Sequence, residues 1–406
     1  MLLLYNLGLR LYVCIVYIAS LFNAKAKLWI AGRRNQSVKR LNSSIWFHFA
    51  SLGEFEQGRP VLENIRETYP GKPIVITFFS PSGYEIRKNT PLADAVYYLP
   101  ADTADNARDF IETINPEIAV FTKYEYWYHF FRELNKKGVP LYIISGIFRK
   151  EQVFFKWYGS LHRKMLGFVS HFFVQDENSK NLLQQLNITN VTVSGDTRFD
   201  RVWANAQQPK ALPEIENFKN GEKLFIAGST WPQDEELLVN VIKANPDWKF
   251  IIAPHEISDD KIKRLMNSLS ETSGIKFSEL NTKDSELRTQ VLVIDNIGML
   301  SSLYQYGEIA YIGGGFGVGI HNTLEAAAFA LPVIFGPNYQ RFKEAKDMIE
   351  IGAAFTISNE AELEAINNKL MRDIAFLNEA GKKAQRYVEE NIGATDKILN
   401  HIQSSK

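Results

Sequence analysis

Ile45-Trp46-Phe47-His48-Phe49-Ala50-Ser51-Leu52-Gly53-Glu54 is a β-rich run that closes in small residues and ends on a carboxylate, and helical spacing follows from Glu56 to Thr68. The strand portion, Ile45–Ala50, is continuously apolar rather than alternating, which is the pattern of a strand buried on both faces of a parallel sheet. The same pattern recurs on both sides. Ile74–Phe79, Val96–Leu99, Ile118–Thr122, Leu141–Ser145, Phe172–Gln175 and Val191–Ser194 complete a first series, with a helical stretch at Ala104–Ile114. A second series comprises Leu224–Ala227, Phe250–Ala253, Val291–Ile294, Ile309–Ile312, Val333–Phe335 and Ala354–Ile357. Residues 203–223 between them are polar, contain Pro209 and Pro213, and read as a linker. The expectation is α/β: two doubly wound, Rossmann-like domains in tandem, with ligands at the carboxyl ends of the strands and in a cleft between domains. The boundaries expected are 1–42 for an amino-terminal segment, 43–202 and 224–376 for the two domains, and 377–406 for closing helices, one option being that these pack back on the first domain.

Composition narrows the function classes. Of 406 residues, 45% are hydrophobic and 23% charged, which excludes wholesale disorder. One cysteine, Cys14, excludes an internal disulfide framework and a Cys-based metal site. The net charge of zero argues against a general nucleic-acid binder. That zero is unevenly distributed, because Arg10, Lys25, Lys27, Arg33, Arg34, Lys39 and Arg40 all precede the first acid, Glu54. Within this basic region, Leu2–Phe22 is apolar except for Asn6, Gly8, Arg10 and Ser20. A spanning helix needs about 20 apolar residues, and one central charge costs about 2.5–3.5 kcal/mol on insertion scales. The run therefore reads as a marginal span, a helix in the interface, a cleavable signal ending near Ala24-Lys25-Ala26, or a core helix. The basic cluster behind it resists translocation and favours a membrane anchor with the body in the cytoplasm.

Several chemistries lack their motifs. The run Gly313-Gly314-Gly315-Phe316-Gly317-Val318-Gly319 does not have dinucleotide-binding spacing, and there is no Walker A sequence, no G-x-S-x-G and no H-E-x-x-H. No Asp-x-Asp pair is present to hold a divalent metal. Chemistry without metal or cofactor is expected.

Four segments carry functional residues, each with a structural alternative. Glu54 at a strand end is placed to act as a general base toward an alcohol, or to cap the helix that follows. The strand at Ile312 feeds a glycine-rich loop and a helix expected near Asn322. Such a junction suits a phosphate, and Glu325 in its first turn suits a ribose; the alternative is a tight turn before a capped helix. Glu125 in Lys123-Tyr124-Glu125-Tyr126-Trp127 is a second strand-end carboxylate, or a satisfied Glu at a helix start. Arg198 in Gly195-Asp196-Thr197-Arg198-Phe199-Asp200 either neutralises a leaving phosphate or pairs with Asp196 or Asp200.

In order along the chain, F-H-x-A-S-L-G-E (Phe47–Glu54), T-F-F-S-P-S-G-Y-E (Thr77–Glu85), E-Y-W (Glu125–Trp127), S-G-D-T-R-F-D (Ser194–Asp200), A-P-H (Ala253–His255) and H-N-T-L-E-A-A-A (His321–Ala328) resemble the 3-deoxy-D-manno-octulosonic acid (Kdo) transferases of lipopolysaccharide synthesis. That resemblance implies a GT-B glycosyltransferase fold, an amino-terminal anchor, and metal-independent inverting transfer of Kdo from CMP-Kdo to the lipid A precursor at the cytoplasmic face of the inner membrane. The implied partners are the CMP-Kdo donor, the lipid A precursor and inner-membrane lipid, with no nucleic acid. It implies Glu54 as the base and Glu125 and Arg198 as transition-state stabilisers. It implies donor contacts at Pro254, His255, Ile297, Gly298, Met299, Asn322, Thr323, Leu324 and Glu325. The chain departs from the family pattern at four of these places. Arg198 replaces a lysine and presents a planar fork instead of a point charge. His255 replaces an arginine and carries no fixed charge at neutral pH. Ile297-Gly298-Met299 replaces Met-Gly-Glu and leaves backbone contacts, while Thr323 replaces a proline and loses the pre-set first turn. The rival readings are a GT-B transferase using a UDP-sugar and a non-catalytic, membrane-tethered binding protein. Trp29, Trp46, Phe78, Phe79 and Tyr84 are candidates for an acyl-chain surface, or are plain core.

Overall fold

The computed structural model describes residues 1–282 and 289–404. The chain forms two compact units, one of Met1–Arg201 together with the closing segment from Ile392, the other of Val202–Asn391.

The first unit is built on a seven-stranded sheet: β1 (Ser44–Phe49), β2 (Ile74–Phe78), β3 (Ala95–Tyr98), β4 (Pro116–Thr122), β5 (Leu141–Gly146), β6 (His171–Val174) and β7 (Val191–Val193). All neighbours pair in parallel, in the order β3-β2-β1-β4-β5-β6-β7. The second unit repeats the plan with β8 (Lys223–Thr230), β9 (Trp248–Pro254), β10 (Gly274–Lys276), β11 (Val291–Val293), β12 (Ile309–Ile312), β13 (Val333–Phe335) and β14 (Ala354–Thr356). Its order is β10-β11-β9-β8-β12-β13-β14, again parallel throughout. Each sheet reverses its winding once, between β1 and β4 and between β8 and β12. The loops leaving those neighbouring strand ends run to opposite faces and open the crevice in which such sheets bind ligands.

Every strand expected from sequence is present, because helices cover both sheet faces and each strand had to read as an uninterrupted apolar run. β1 is buried along its full length, including Ser44 and His48. β10 had escaped notice: it is three residues at a sheet edge with one fully apolar side chain, too little for a periodic signal.

Three expectations need correction. The helix expected from Glu56 begins at Leu52, so Glu54 lies inside its first turn. The stretch 203–223, read as a linker, holds the end of helix Thr197–Gln207 and all of helix Pro213–Lys219. Pro213 sits at the first helical position, where its missing N–H costs nothing, and Ile215 and Phe218 of that helix are fully buried. Of the closing helices, Ile374–Glu389 belongs to the second unit, where Gly381 lies against the Ala330 carbonyl, and Ala394–Ser404 returns to the first. Ile398, Leu399 and Ile402 of that last helix complete the core around Phe47, Val61 and Phe173.

The amino-terminal residues form two helices, Leu2–Ala19 and Ala24–Asn35, joined by a turn whose Asn23 side chain accepts from the N–H groups of Lys25 and Ala26. Among the described residues, Leu2–Ala19 is the one helix long and apolar enough to cross a membrane.

Candidate active site

In the first unit, the reversal between β1 and β4 brings two carboxylates together. Ser51 precedes helix Leu52–Thr68, and its Oγ–H donates to Glu54 Oε2 at 3.0 Å. The alternative capping role of Glu54 is thus partly realised, since the Ser51 backbone N–H also reaches the carboxylate. Burial pushes the Glu54 carboxyl above its ordinary pKa, and the charge of Glu125 pushes the same way. The Ser51 bonds and Lys123 oppose the shift without cancelling it.

Glu125 is held from two sides. His48 Nε2 lies 3.1 Å and Trp127 Nε1 lies 3.0 Å from Glu125 Oε2. The histidine tautomer follows from its other nitrogen. Trp46 Nε1–H donates to Thr77 Oγ1 at 2.9 Å, and the Thr77 hydroxyl lies 2.8 Å from His48 Nδ1, nearer than its 3.4 Å to the Phe47 carbonyl. Thr77 therefore donates to Nδ1, which leaves His48 Nε2–H to donate to Glu125. A fully buried row, Trp46–Thr77–His48, thereby fixes a carboxylate at the strand ends.

Arg198 comes from the far side of the sheet and is fixed by its own neighbour. Its backbone N–H and Nε–H donate to the two oxygens of Asp196 at 2.9 and 2.8 Å. Burial alone would raise the Asp196 carboxyl, but Arg198 and Lys123 outweigh it and the pKa falls below its ordinary value. Gln57, one turn beyond Glu54, donates to Asp196 at 2.6 Å, and the Thr197 hydroxyl donates to the Gln57 carbonyl. The helices that carry Glu54 and Arg198 are therefore bonded to each other. Asp200, the other partner considered for Arg198, instead accepts from Gly393 and Thr395. Lys123 adopts a left-handed backbone (φ 59°) at the end of β4, and Tyr124 is partly exposed beside it. The site can take a proton from a hydroxyl at Glu54 and can hold an anionic group near Arg198 and Lys123.

In the second unit, three rings stack at the ends of β8, β9 and β12. Trp231 lies on His255 (centroids 5.0 Å, 27°), and His255 lies on His321 (4.1 Å, 25°). Trp231 Nε1–H donates to His321 Nε2 at 3.1 Å, so that nitrogen carries no proton. Burial, with His255 alongside, lowers the His321 pKa to about 4, and partial burial and Lys261 lower that of His255. Both imidazoles are neutral at pH 7. Asp234 ties the arrangement down by accepting from the backbone N–H groups of Trp231 (2.9 Å) and Gly314 (3.0 Å) and from Tyr311 Oη (2.7 Å).

The glycine-rich loop is explained largely by packing. A Cβ on Gly313 would lie 2.3 Å from the Ser229 carbonyl oxygen, one on Gly315 would meet the Gly336 backbone at 2.6 Å, and Gly314 and Gly319 have positive φ. The helix expected near Asn322 is a single turn, Leu324–Ala327, so the helix-dipole argument for a phosphate falls away there. Asn322 itself bonds locally, accepting from the Leu324 N–H and donating to Glu325 Oε1 at 3.0 Å.

The comparisons with known proteins bear on both units. The family model described as 3-deoxy-D-manno-octulosonic-acid transferase (kdotransferase) matches residues 24–201, which contain Glu54, Glu125 and Arg198. The chain is 26% identical over 371 residues to the 3-deoxy-D-manno-octulosonic acid transferase of Chlamydia muridarum, covering 88% of this chain and 83% of that one. Against the enzyme of the same name from Rickettsia bellii the match is 24% over 407 residues, or 97% and 96% of the two chains. The chain is thus similar to Kdo transferases over most of its length, and it is a glycosyltransferase. Solved structures extend the fold likeness: the UDP-GlcNAc 2-epimerase of Neisseria meningitidis (TM-score 0.63, 14% identity, 89% of this chain and 100% of that one) and MurG of Acinetobacter baumannii (0.55, 12%, 89% and 99%) share the GT-B arrangement of two Rossmann-like units.

Against the residues singled out from the Kdo transferase resemblance, the structure places Glu54, Glu125 and Arg198 beyond strand ends of one unit, the helices of Glu54 and Arg198 joined through Gln57 and the charge of Glu125 felt at Glu54. Pro254 ends β9 and His255 follows it, and Ile297 and Gly298 stand exposed beyond β11, with Met299 leading into a short helix. Thr323 and Leu324 are buried side chains, which leaves Asn322 and Glu325 as the outward groups of that run. Trp46 and Phe78 are fully buried core and line no surface. Sequence reasoning missed His48 as the group that orients Glu125, Lys123 as a charge felt by Glu54 and Asp196, and Trp231 with His321. The Lys-x-Glu at a strand end was a readable signal for Lys123, whereas nothing local connects Trp231 with a histidine 90 residues away.

Proposed function

We propose that the chain transfers Kdo from CMP-Kdo to a hydroxyl of the lipid A precursor at the cytoplasmic face of the inner membrane, without metal and with inversion. The observation that carries this reading is the environment of Glu54, a carboxyl raised by burial and by Glu125 at the strand reversal of the matched unit. A base of raised pKa at neutral pH suits proton removal from an alcohol. Glu54 takes the acceptor proton as the hydroxyl oxygen bonds to the anomeric carbon, and the bond from that carbon to the CMP phosphate breaks with its electrons leaving on CMP. Glu125, oriented by His48 and Trp127, faces the positive charge that develops at the anomeric centre, and Arg198 balances the negative charge that leaves. The donor's cytidine and phosphate fall to the second unit, to Pro254, His255, Asn322, Glu325 and the backbone of residues 297–299. His255, neutral there, offers a flat ring and a hydrogen bond where an arginine would offer charge.

The test is incubation of purified protein with CMP-Kdo and lipid A precursor, with the lipid products resolved. A Kdo-bearing lipid is expected. Its absence with folded, CMP-binding protein would overturn the donor–acceptor pair proposed here.

A further inference from the structure

The amino-terminal helix carries two unlike faces. Half-buried positions recur at Leu2, Tyr5, Asn6, Leu9, Val13 and Val16, a stripe turned toward the rest of its unit. The opposite face holds Leu3, Leu4, Leu7, Leu11, Ile15 and Ile18, all at least 56% exposed, and continues into Leu21 and Phe22 at 69% and 89%. A stripe this long is far beyond the scattered apolar residues of an ordinary surface.

The helix is fastened near its start and again just past its middle. Tyr5 Oη donates to Asp102 Oδ2 at 2.5 Å, and Asp102 is a buried carboxylate that also accepts from the backbone N–H groups of His129 and Phe130. Asn6 Oδ1 lies 2.8 Å from His129 Nε2. Two turns on, the Tyr12 ring packs on Trp29 (6.0 Å) and Phe79 (6.3 Å). A helix held at Tyr5 and at Tyr12 by one body runs along that body. To cross a bilayer it would abandon these bonds and leave Asp102 short of a partner. Its 18 residues span about 27 Å, short of the roughly 30 Å hydrocarbon core, and Arg10 sits at the middle of the span.

We propose that this helix lies in the plane of the membrane interface, with its Leu3–Leu7–Leu11–Ile18 face set into the acyl layer of an anionic leaflet, and does not cross it. The proposal rests on the membrane reading above and adds the orientation. Charge complementarity selects the occupant. Arg10, Lys25, Lys27, Arg34, Lys39 and Arg40 are exposed around the helix pair, and no acid precedes Glu54. Beside the helix a pocket of about 380 Å³ is lined by Val13, Trp29, Arg33 and Arg34 and by no acidic side chain. Arg33 lies 3.7 Å over the Trp29 ring and donates to the Leu99 and Phe79 carbonyls. The same aromatic row reaches the candidate site: Trp29 meets Phe79 at 5.9 Å, Phe79 stacks on Trp127 at 5.1 Å, and Trp127 bonds Glu125. An in-plane helix thus sets the Glu125 carboxylate two ring contacts from the lipid surface.

Cys14 is the single cysteine, so C14S provides a clean background for spin labels at positions 3, 11 and 18 of the full chain. On vesicles containing phosphatidylglycerol, collision with oxygen and with a water-soluble nickel chelate is expected to give all three labels one shallow depth, about 5–10 Å below the headgroups. Depths that grade along the helix, with position 3 reaching the far leaflet, overturn the proposal. So do labels that stay in water, or that couple to a second copy, on vesicle-bound protein. Protein that does not float with vesicles at all overturns the membrane reading itself. In the double variant Leu7→Glu and Leu11→Glu, both at exposed positions, vesicle partitioning is expected to fall at least tenfold with CMP binding unchanged.

Discussion

Glu54 and Glu125 lie beyond neighbouring strand ends, and the charge of Glu125 helps to raise the Glu54 carboxyl. Glu54 must be ionised to accept a proton, and kcat/KM is therefore expected to rise with pH through a pKa above the ordinary glutamate value of about 4.3. Glu125→Gln removes one of the two causes of the rise, so that limb should move to lower pH. A limb that stays in place would show that the shift does not come from Glu125. Stability runs with the opposite sign. A carboxyl raised in the folded state loses folding free energy as pH climbs from its unfolded to its folded pKa. Glu54→Gln is thus expected to melt higher than wild type at pH 7 and to match it below pH 4, while losing about 10²–10⁴ in turnover. Trp127→Phe keeps the stack on Phe79 and deletes one of two donors to Glu125. At about 1.5–3 kcal/mol for a bond to a charged group, kcat should fall roughly tenfold or more, with the dissociation constant for CMP unchanged. A kcat within twofold of wild type would assign the orientation of Glu125 to His48 alone.

At the scale of elements, Asp200 stands where a helix N-cap would, though it lies far from that helix in sequence. Its two oxygens accept from the N–H of Gly393 (2.6 Å), the N–H of Thr395 (2.7 Å) and the Thr395 hydroxyl (2.6 Å), fixing the start of helix Ala394–Ser404. Asp200→Ala should cost the first unit about 2–4 kcal/mol, read as a lower denaturant midpoint, with Asp200→Asn recovering part of the loss. An unchanged midpoint in both would leave the anchoring to the apolar contacts of Ile398 and Ile402. This bond also shows where the sequence was legible and where it was not. β1 and β4 announced themselves because their neighbours bury both faces. Glu54 and Glu125 followed, since strand ends are where such sheets keep polar groups. Asp200 and Arg198 sit two residues apart and point to different partners, a choice set by tertiary neighbours that no local pattern encodes. The glycine loop is ambiguous for the opposite reason. Gly313 and Gly315 are small because Ser229 and Gly336 press against them, and a steric need leaves the same letters as a phosphate cradle.

Over the whole molecule, the two units keep separate cores, and ligand linkage tests the donor site proposed for the second. CMP is expected to raise the melting temperature where UDP does not, by about 2.7 kcal/mol of stabilisation at a hundredfold excess over its dissociation constant. Equal protection by UDP would favour a UDP-sugar donor. Charge is parcelled in the same way: the first 53 residues hold seven basic side chains and no acid, and the rest of the chain balances them. The path of the chain adds a last consequence. Helix Leu2–Ala19 is made before the rest of the first unit, but that unit is closed by Ala394–Ser404, which is made only after all of Val202–Asn391. At roughly 5–20 residues per second that interval is on the order of 10–40 s. Throughout it the floor of the first domain, the surface around Phe47, Val61 and Phe173, still waits for Ile398 and Ile402. The unit that holds Glu54 is thus begun before the second unit and finished after it.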